Sequence, residues 1–120
     1  LSLQFVVRSN VLHVLASMRS NDAWLGWPYD NFNFSMIGLS VCLLMKEIYG
    51  ITYDLGFLTI FAGSRHLYKE NFEQALDVID STKYGRTYEV IRPQRYFSFI
   101  DLKNCLNDYK DNTDEFLTKT

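Results

Sequence analysis

The sequence lacks a charge of one sign, a histidine cluster, a cysteine pattern and a long apolar run. Lys and Arg number 12 against 14 Asp and Glu, a net charge of −2. No basic field is present, which argues against nucleic acid as a partner. Cys42 and Cys105 share no CxxC spacing, and there are only two His, so a metal site is not expected. Unpatterned cysteines fit a reducing, cytoplasmic setting. The most apolar stretch, Met36–Met45, is too short to span a bilayer and reads as a buried helix, so no membrane is expected. No signal peptide is visible in the sequence. The chain opens inside a strand pattern and reads as part of a longer polypeptide. No repeat or linker divides it, so residues 1–120 form one unit with a polar tail over 110–120.

What is present is a globular composition, 48% apolar and 16% aromatic, in a chain long enough for one core. Leu1, Leu3, Phe5 and Val7 alternate with polar residues, as do Leu12, Val14, Ala16 and Met18. A period of two predicts strands, and Ser9-Asn10 between them predicts a β-hairpin. Arg19 then stands at the exit of the second strand. Asn21–Tyr29 reads as irregular, since Gly26 and Pro28 break regular structure. Asp30 precedes a helix to about Tyr49, apolar almost all round and ended by Gly50. Ile51–Gly56 reads as a loop, and Phe57–Ala62 as a buried strand. If that strand stays extended past Gly63, His66 and Tyr68 project to one side. Asn71–Asp80 reads as an amphipathic helix. Thr87–Ile91 reads as a strand ended by Pro93. Asp101–Tyr109 reads as a helix with Asp101 as cap.

Two stretches concentrate the chemistry: Arg19–Asp30, RSNDAWLGWPYD, and Gly63–Tyr68, GSRHLY. A guanidinium beside a hydroxyl, Arg19 and Ser20, suits a phosphate, or is a surface Arg beside a loop Ser. Asp30 is either a helix N-cap or a carboxylate that reads a ligand ring. Asp22 is either the acceptor of an Asx-turn or part of that ligand site. His66 and Tyr68 are either core residues bonded to backbone or a pair that binds hydroxyl groups. Cys42, inside the apolar helix without a base, reads as a core thiol, and Cys105 reads the same way.

Together the two stretches resemble the thymidylate synthase family, which includes the pyrimidine-nucleotide hydroxymethylases. Arg19, Ser20, Asp22, Leu25, Gly26, Asp30, Gly63, His66 and Tyr68 match its motifs, and Gln4-Phe5 and the hairpin fit its spacing. The likeness covers about residues 1–80. It implies an α+β fold, a mixed β-sheet packed against a long buried helix, thymidylate synthase-like over that part. It implies that Arg19 and Ser20 hold the 5′-phosphate of a pyrimidine nucleoside monophosphate. His66 and Tyr68 would bond the sugar 3′-hydroxyl. Asp30 would read the base. The backbone near Asp22 would meet the nucleotide ring, and the Asp22 side chain, with Leu25 and Gly26, would line the side of 5,10-methylenetetrahydrofolate, the co-substrate. A homodimer follows from the same resemblance.

Position 30 discriminates. An Asn there can donate and accept, matching uracil's N3–H and O4. An ionised Asp only accepts, matching the cytosine 4-amino group, and in this family Asp goes with deoxycytidylate hydroxymethylases. The family's nucleophilic Cys would fall just upstream of Leu1, so no catalytic residue lies in this chain. An N-terminal segment, in the same polypeptide or as a separate chain, would supply it. The expected activity is therefore (deoxy)cytidylate 5-hydroxymethylation. The alternatives are a thymidylate synthase acting on dUMP and a non-catalytic nucleotide-binding or scaffold subunit.

Overall fold

A computed structural model describes the backbone over residues 1–81 and 98–118, and side chains up to 108. The order is β1 (Ser2–Arg8), β2 (Val11–Asp22), α1 (Gly26–Tyr49), β3 (Asp54–His66), a short 3-10 turn (Lys69–Asn71), α2 (Phe72–Ser81) and α3 (Phe99–Thr118). The fold is α+β. One three-stranded mixed sheet, ordered β1-β2-β3, carries α1 on one face.

β1 and β2 pair antiparallel from Ser2↔Ser17 to Arg8↔Val11. Ser9 and Asn10 both take positive φ, 48° and 65°, the geometry of a tight two-residue hairpin loop. Asn10 also ties this loop to the start of β3. Its side chain donates to the Thr52 carbonyl at 2.7 Å, and its own carbonyl accepts from the Asp54 amide.

β2 and β3 are parallel neighbours joined through α1. Parallel strands need such a crossover, and the apolar helix supplies it. Leu12, Val14 and Ala16 form the inner face of β2, and Val14 is 1% exposed. Cys42 packs with Leu12 and Val14. Gly38 permits the close approach, because a Cβ there would lie 2.6 Å from Val14 Cγ2 and 3.0 Å from Leu55 Cδ1. Beside that contact, Leu39 and Leu43 of α1 pack with Leu102 of α3, and Leu55 of β3 lies against both groups. Gly50 ends α1 in the left-handed conformation at φ 68°, as its sequence position predicts.

Several expectations need correction. α1 begins at Gly26, not after Asp30. Pro28 and Gly26 fall in its first turn, where a missing amide hydrogen costs nothing. α1 is covered on one side only: Phe34, Gly38, Leu39, Cys42 and Leu43 are buried, while Phe32, Ile48 and Tyr49 are exposed. With 24 residues and mean hydropathy 1.2, it is long and apolar enough to cross a membrane by composition. Here it forms the helical layer of the sheet. β3 starts at Asp54 inside the expected loop, and among the described residues it is an edge strand rather than a buried one. Phe57 and Phe61 stand 78% and 67% exposed on its outer face.

α2 matches its expected span within a residue, yet Phe72, Leu76 and Ile79 are exposed. α3 is capped by Ser98. Asp101 accepts from the Ser98 amide at 2.8 Å, and Ser98 Oγ accepts from the Asp101 amide at 3.1 Å, a reciprocal box. Its backbone continues to Thr118, through the expected polar tail, because no Gly or Pro interrupts it. Cys105 is exposed rather than a core thiol. The expected strand Thr87–Ile91 lies outside the described residues.

Candidate functional site

The parallel pairing of β2 with β3 brings the two chemistry-bearing stretches together. Ser20 pairs with Ser64, Asn21 with Arg65 and Asp22 with His66. The Ala23 amide extends this pairing by donating to the His66 carbonyl at 2.8 Å. Gly63 is required by the tight approach, since a Cβ there would lie 2.9 Å from the Arg19 carbonyl oxygen. The chain then turns, and α1 starts directly above the strand ends. Carboxyl ends of parallel strands beside a helix N-terminus are a recurrent ligand position in α/β sheets.

Asp22 organises the turn. Its Oδ1 accepts from the Trp24 amide at 3.0 Å, and its Oδ2 accepts from the Leu25 and Gly26 amides at 3.1 and 3.4 Å. This is the Asx-turn reading, extended into a helix cap. Leu25, at the formal cap position, has no side-chain bond to offer. The Trp24 amide above all, then those of Leu25 and Gly26 and the His66 charge, hold the Asp22 carboxyl below its ordinary value, against the opposing effect of burial. The carboxylate thus faces its own turn. Leu25 is 57% exposed beside it.

Asp30 is not the N-cap. It stands one turn inside α1, and its Oδ2 accepts a 2.6 Å hydrogen bond from Asn21 Nδ2. Asn21 is 3% exposed, and its Oδ1 is buried without a hydrogen-bond partner among the described residues. An unsatisfied buried amide oxygen costs about 1–3 kcal/mol. The sequence reading missed Asn21, because one polar residue at a strand end carries no periodic signal.

His66 and Tyr68 do meet. Their rings lie edge to face with centroids 5.0 Å apart, His66 half-buried and Tyr68 55% exposed. A second contact joins the two stretches: the Arg65 guanidinium lies 3.9 Å from the Trp27 ring centroid. Neither residue was singled out from sequence.

Arg19 and Ser20 are separated. Both belong to β2, where consecutive side chains leave on opposite faces, and Arg19 is exposed while Ser20 is half-buried. β1 pairs with β2 only as far as Ser17, so the β1 side of Met18–Asp22 is open among the described residues. The cavity of about 200 Å³ lined by Leu43, Lys46, Glu47, Ser98 and Phe99 lies toward the opposite end of α1. It does not touch these groups. Among the described residues no group of His, Cys, Asp and Glu could hold a metal ion. Cys42 is buried, and burial first, then the Asp54 charge, push its thiol up from its ordinary value. That disfavours the thiolate a nucleophile needs.

Comparison with family models, with characterised proteins and with solved structures finds no match for this chain.

Proposed function

We propose that this chain is the nucleotide-binding portion of a cytoplasmic, folate-dependent pyrimidine nucleotide C5-hydroxymethylase of the thymidylate synthase family, acting on dCMP or CMP. The observation that carries the reading is the β2–β3 register, which sets Asp22 beside His66 with Asp30 close above. The two motifs matched by resemblance are far apart in sequence and adjacent in space, as one nucleotide site requires.

In this reading Asp30 accepts a hydrogen bond from the cytosine amino group. The edge-to-face pair of His66 and Tyr68 meets the sugar hydroxyl. The 5′-phosphate spans the open edge of β2, where Arg19 on one face and Ser20 on the other reach it. Methylenetetrahydrofolate supplies the one-carbon unit when bound, on the side of Asp22, Leu25 and Gly26. Asp22, bonded to three amides, holds the shape of that wall.

The nucleophile comes from upstream. In the β1–β2 register, each step before Ser2 advances one residue along β2 past Ser17. A strand continued upstream of Leu1 would run beside Arg19 and Ser20. A thiolate there would add to C6 of the ring and make C5 nucleophilic. Cys42, buried with its thiol pushed up, is unsuited to that role. A homodimer, which the family resemblance implies, would cover the outer sheet face that carries Phe57 and Phe61.

The test is C5 hydrogen exchange and one-carbon transfer by the complete protein on dCMP and dUMP. A dCMP preference that Asp30→Asn shifts toward dUMP by about tenfold or more is expected, because two opposed acceptors cost about 1–3 kcal/mol. Preference for dUMP, unaltered by Asp30→Asn, would sink the cytosine reading. Dihydrofolate as product would favour a thymidylate synthase instead. Nucleotide binding without exchange would favour the non-catalytic subunit.

A further inference from the structure

We propose that Asn21 is a positioning residue for Asp30, fixing which carboxylate oxygen meets the ligand ring. The inference rests on the reading of Asp30 as the group that faces that ring. Asn21 is the one buried polar residue among the described residues, at 3% exposure. Most buried side-chain polar atoms have a hydrogen-bond partner, so an unmatched amide oxygen calls for a reason. Asn21 bonds at one end. Its Nδ2 donates to Asp30 Oδ2 at 2.6 Å, and among the described residues its carbonyl oxygen is buried without a partner. The bonded end is the one aimed at a carboxylate, and a bond to an ionised acceptor is among the strongest a side-chain amide makes.

The arrangement divides the Asp30 carboxylate. Oδ2 already accepts from Asn21, which leaves Oδ1, with no hydrogen bond among the described residues, as the less occupied oxygen for a ligand. One oriented acceptor suits one amino hydrogen and has nothing to offer a carbonyl. Gly26 lies beside this pair, close enough that a Cβ would be in ordinary contact with it. A Cβ at Gly26 would lie 3.5 Å from Asn21 Nδ2 and 3.9 Å from Asp30 Oδ2. Asn21 also sits in β2, opposite Arg65 of β3, so its backbone is anchored in the sheet while its side chain reaches α1. Selectivity between amino and carbonyl rings then depends on a residue that does not itself touch the ring.

The experiment titrates dCMP and dUMP into the full chain, followed by the fluorescence of Trp24 and Trp27. The unaltered chain is expected to prefer dCMP by about tenfold, the value of a single oriented hydrogen bond. Asn21→Ala is expected to remove most of that preference while changing dUMP affinity by less than about threefold. A merely structural Asn21 would weaken both nucleotides alike and leave the ratio intact, and that result overturns the proposal. Asp30→Asn separates the two readings. If it changes the ratio and Asn21→Ala does not, Asp30 reads the base without help from Asn21. If Asp30→Asn leaves the ratio alone, the base reading has failed and this inference goes with it. A measurement on the unaltered chain guards against a variant that does not fold. The side-chain amide hydrogens of Asn21 are expected to shift in NMR spectra on adding dCMP and to stay in place with dUMP. Unmoved Asn21 signals at saturating dCMP, with His66 ring signals displaced, would also overturn it.

Discussion

The guanidinium of Arg65 lies over the ring of Trp27, 3.9 Å from its centroid. Arg65 belongs to β3 and Trp27 to the first turn of α1, so the contact spans the two motif-bearing stretches at the mouth of the candidate site. An exposed cation–π pair contributes about 0.5–1 kcal/mol. Arg65→Ala and Trp27→Leu, measured singly and together by urea unfolding, should show coupling of about that size. Strict additivity would mean the two groups touch without holding each other.

Gly38 sets the distance between helix and sheet. A methyl group there meets Val14 at 2.6 Å, and Val14 is the most deeply buried side chain of the core. Gly38→Ala should destabilise the chain by about 1–3 kcal/mol through overpacking, despite the better helix propensity of Ala. Gly38→Ala with Val14→Ala should recover part of the overpacking term. Thermal unfolding of the three variants checks this.

The cap of α1 depends on an ionised Asp22. Its carboxyl is held below the ordinary 3.8, so its contribution is fully present above that value and is lost as pH falls through the lower, folded one. Asp101 is shifted the same way by its bonds to Ser98, so the start of α3 loses support over the same range. Melting temperature should therefore fall steeply below about pH 4. Asp22→Asn keeps an acceptor that does not titrate, and its melting curve should be lower at neutral pH but flatter in acid. An equally steep acid fall would assign the loss to other carboxylates.

The two thiols should differ in reactivity. Cys42 is buried and its thiol is pushed up by that burial, whereas Cys105 is exposed. A thiol reagent at neutral pH should label Cys105 quickly in the native chain, and Cys42 only on unfolding. Peptide mass analysis after a short exposure reads this directly. Rapid labelling of Cys42 would mean that the helix opens from the sheet on that timescale.

Much of the fold was legible locally. The period-two runs of β1 and β2, the positive-φ turn at Ser9-Asn10, the Gly50 stop and the span of α2 follow from short-range chemistry, whereas only part of α3 was expected as helix. Errors clustered where a residue's usual meaning depends on its position. Pro28 breaks a helix interior but is tolerated in a first turn. Asp30 has the type of an N-cap, yet Asp22 does the capping because the turn folds back over it. Arg19 and Ser20 are neighbours in sequence, and strand geometry separates them.

The sequence by itself determined where the polar and charged groups of interest stand in the chain. It also determined that they fall in two stretches, each at an end of regular structure. Tertiary structure alone decided that β2 and β3 run parallel in a register that sets Asp22 against His66. It also decided that Asn21 is buried against Asp30 and that Arg65 reaches Trp27. The physical reason is that element type follows from local periodicity, whereas register follows from long-range packing. Here α1 seats Gly38 on Val14, and that contact helps fix where every group at the far end of the helix can lie.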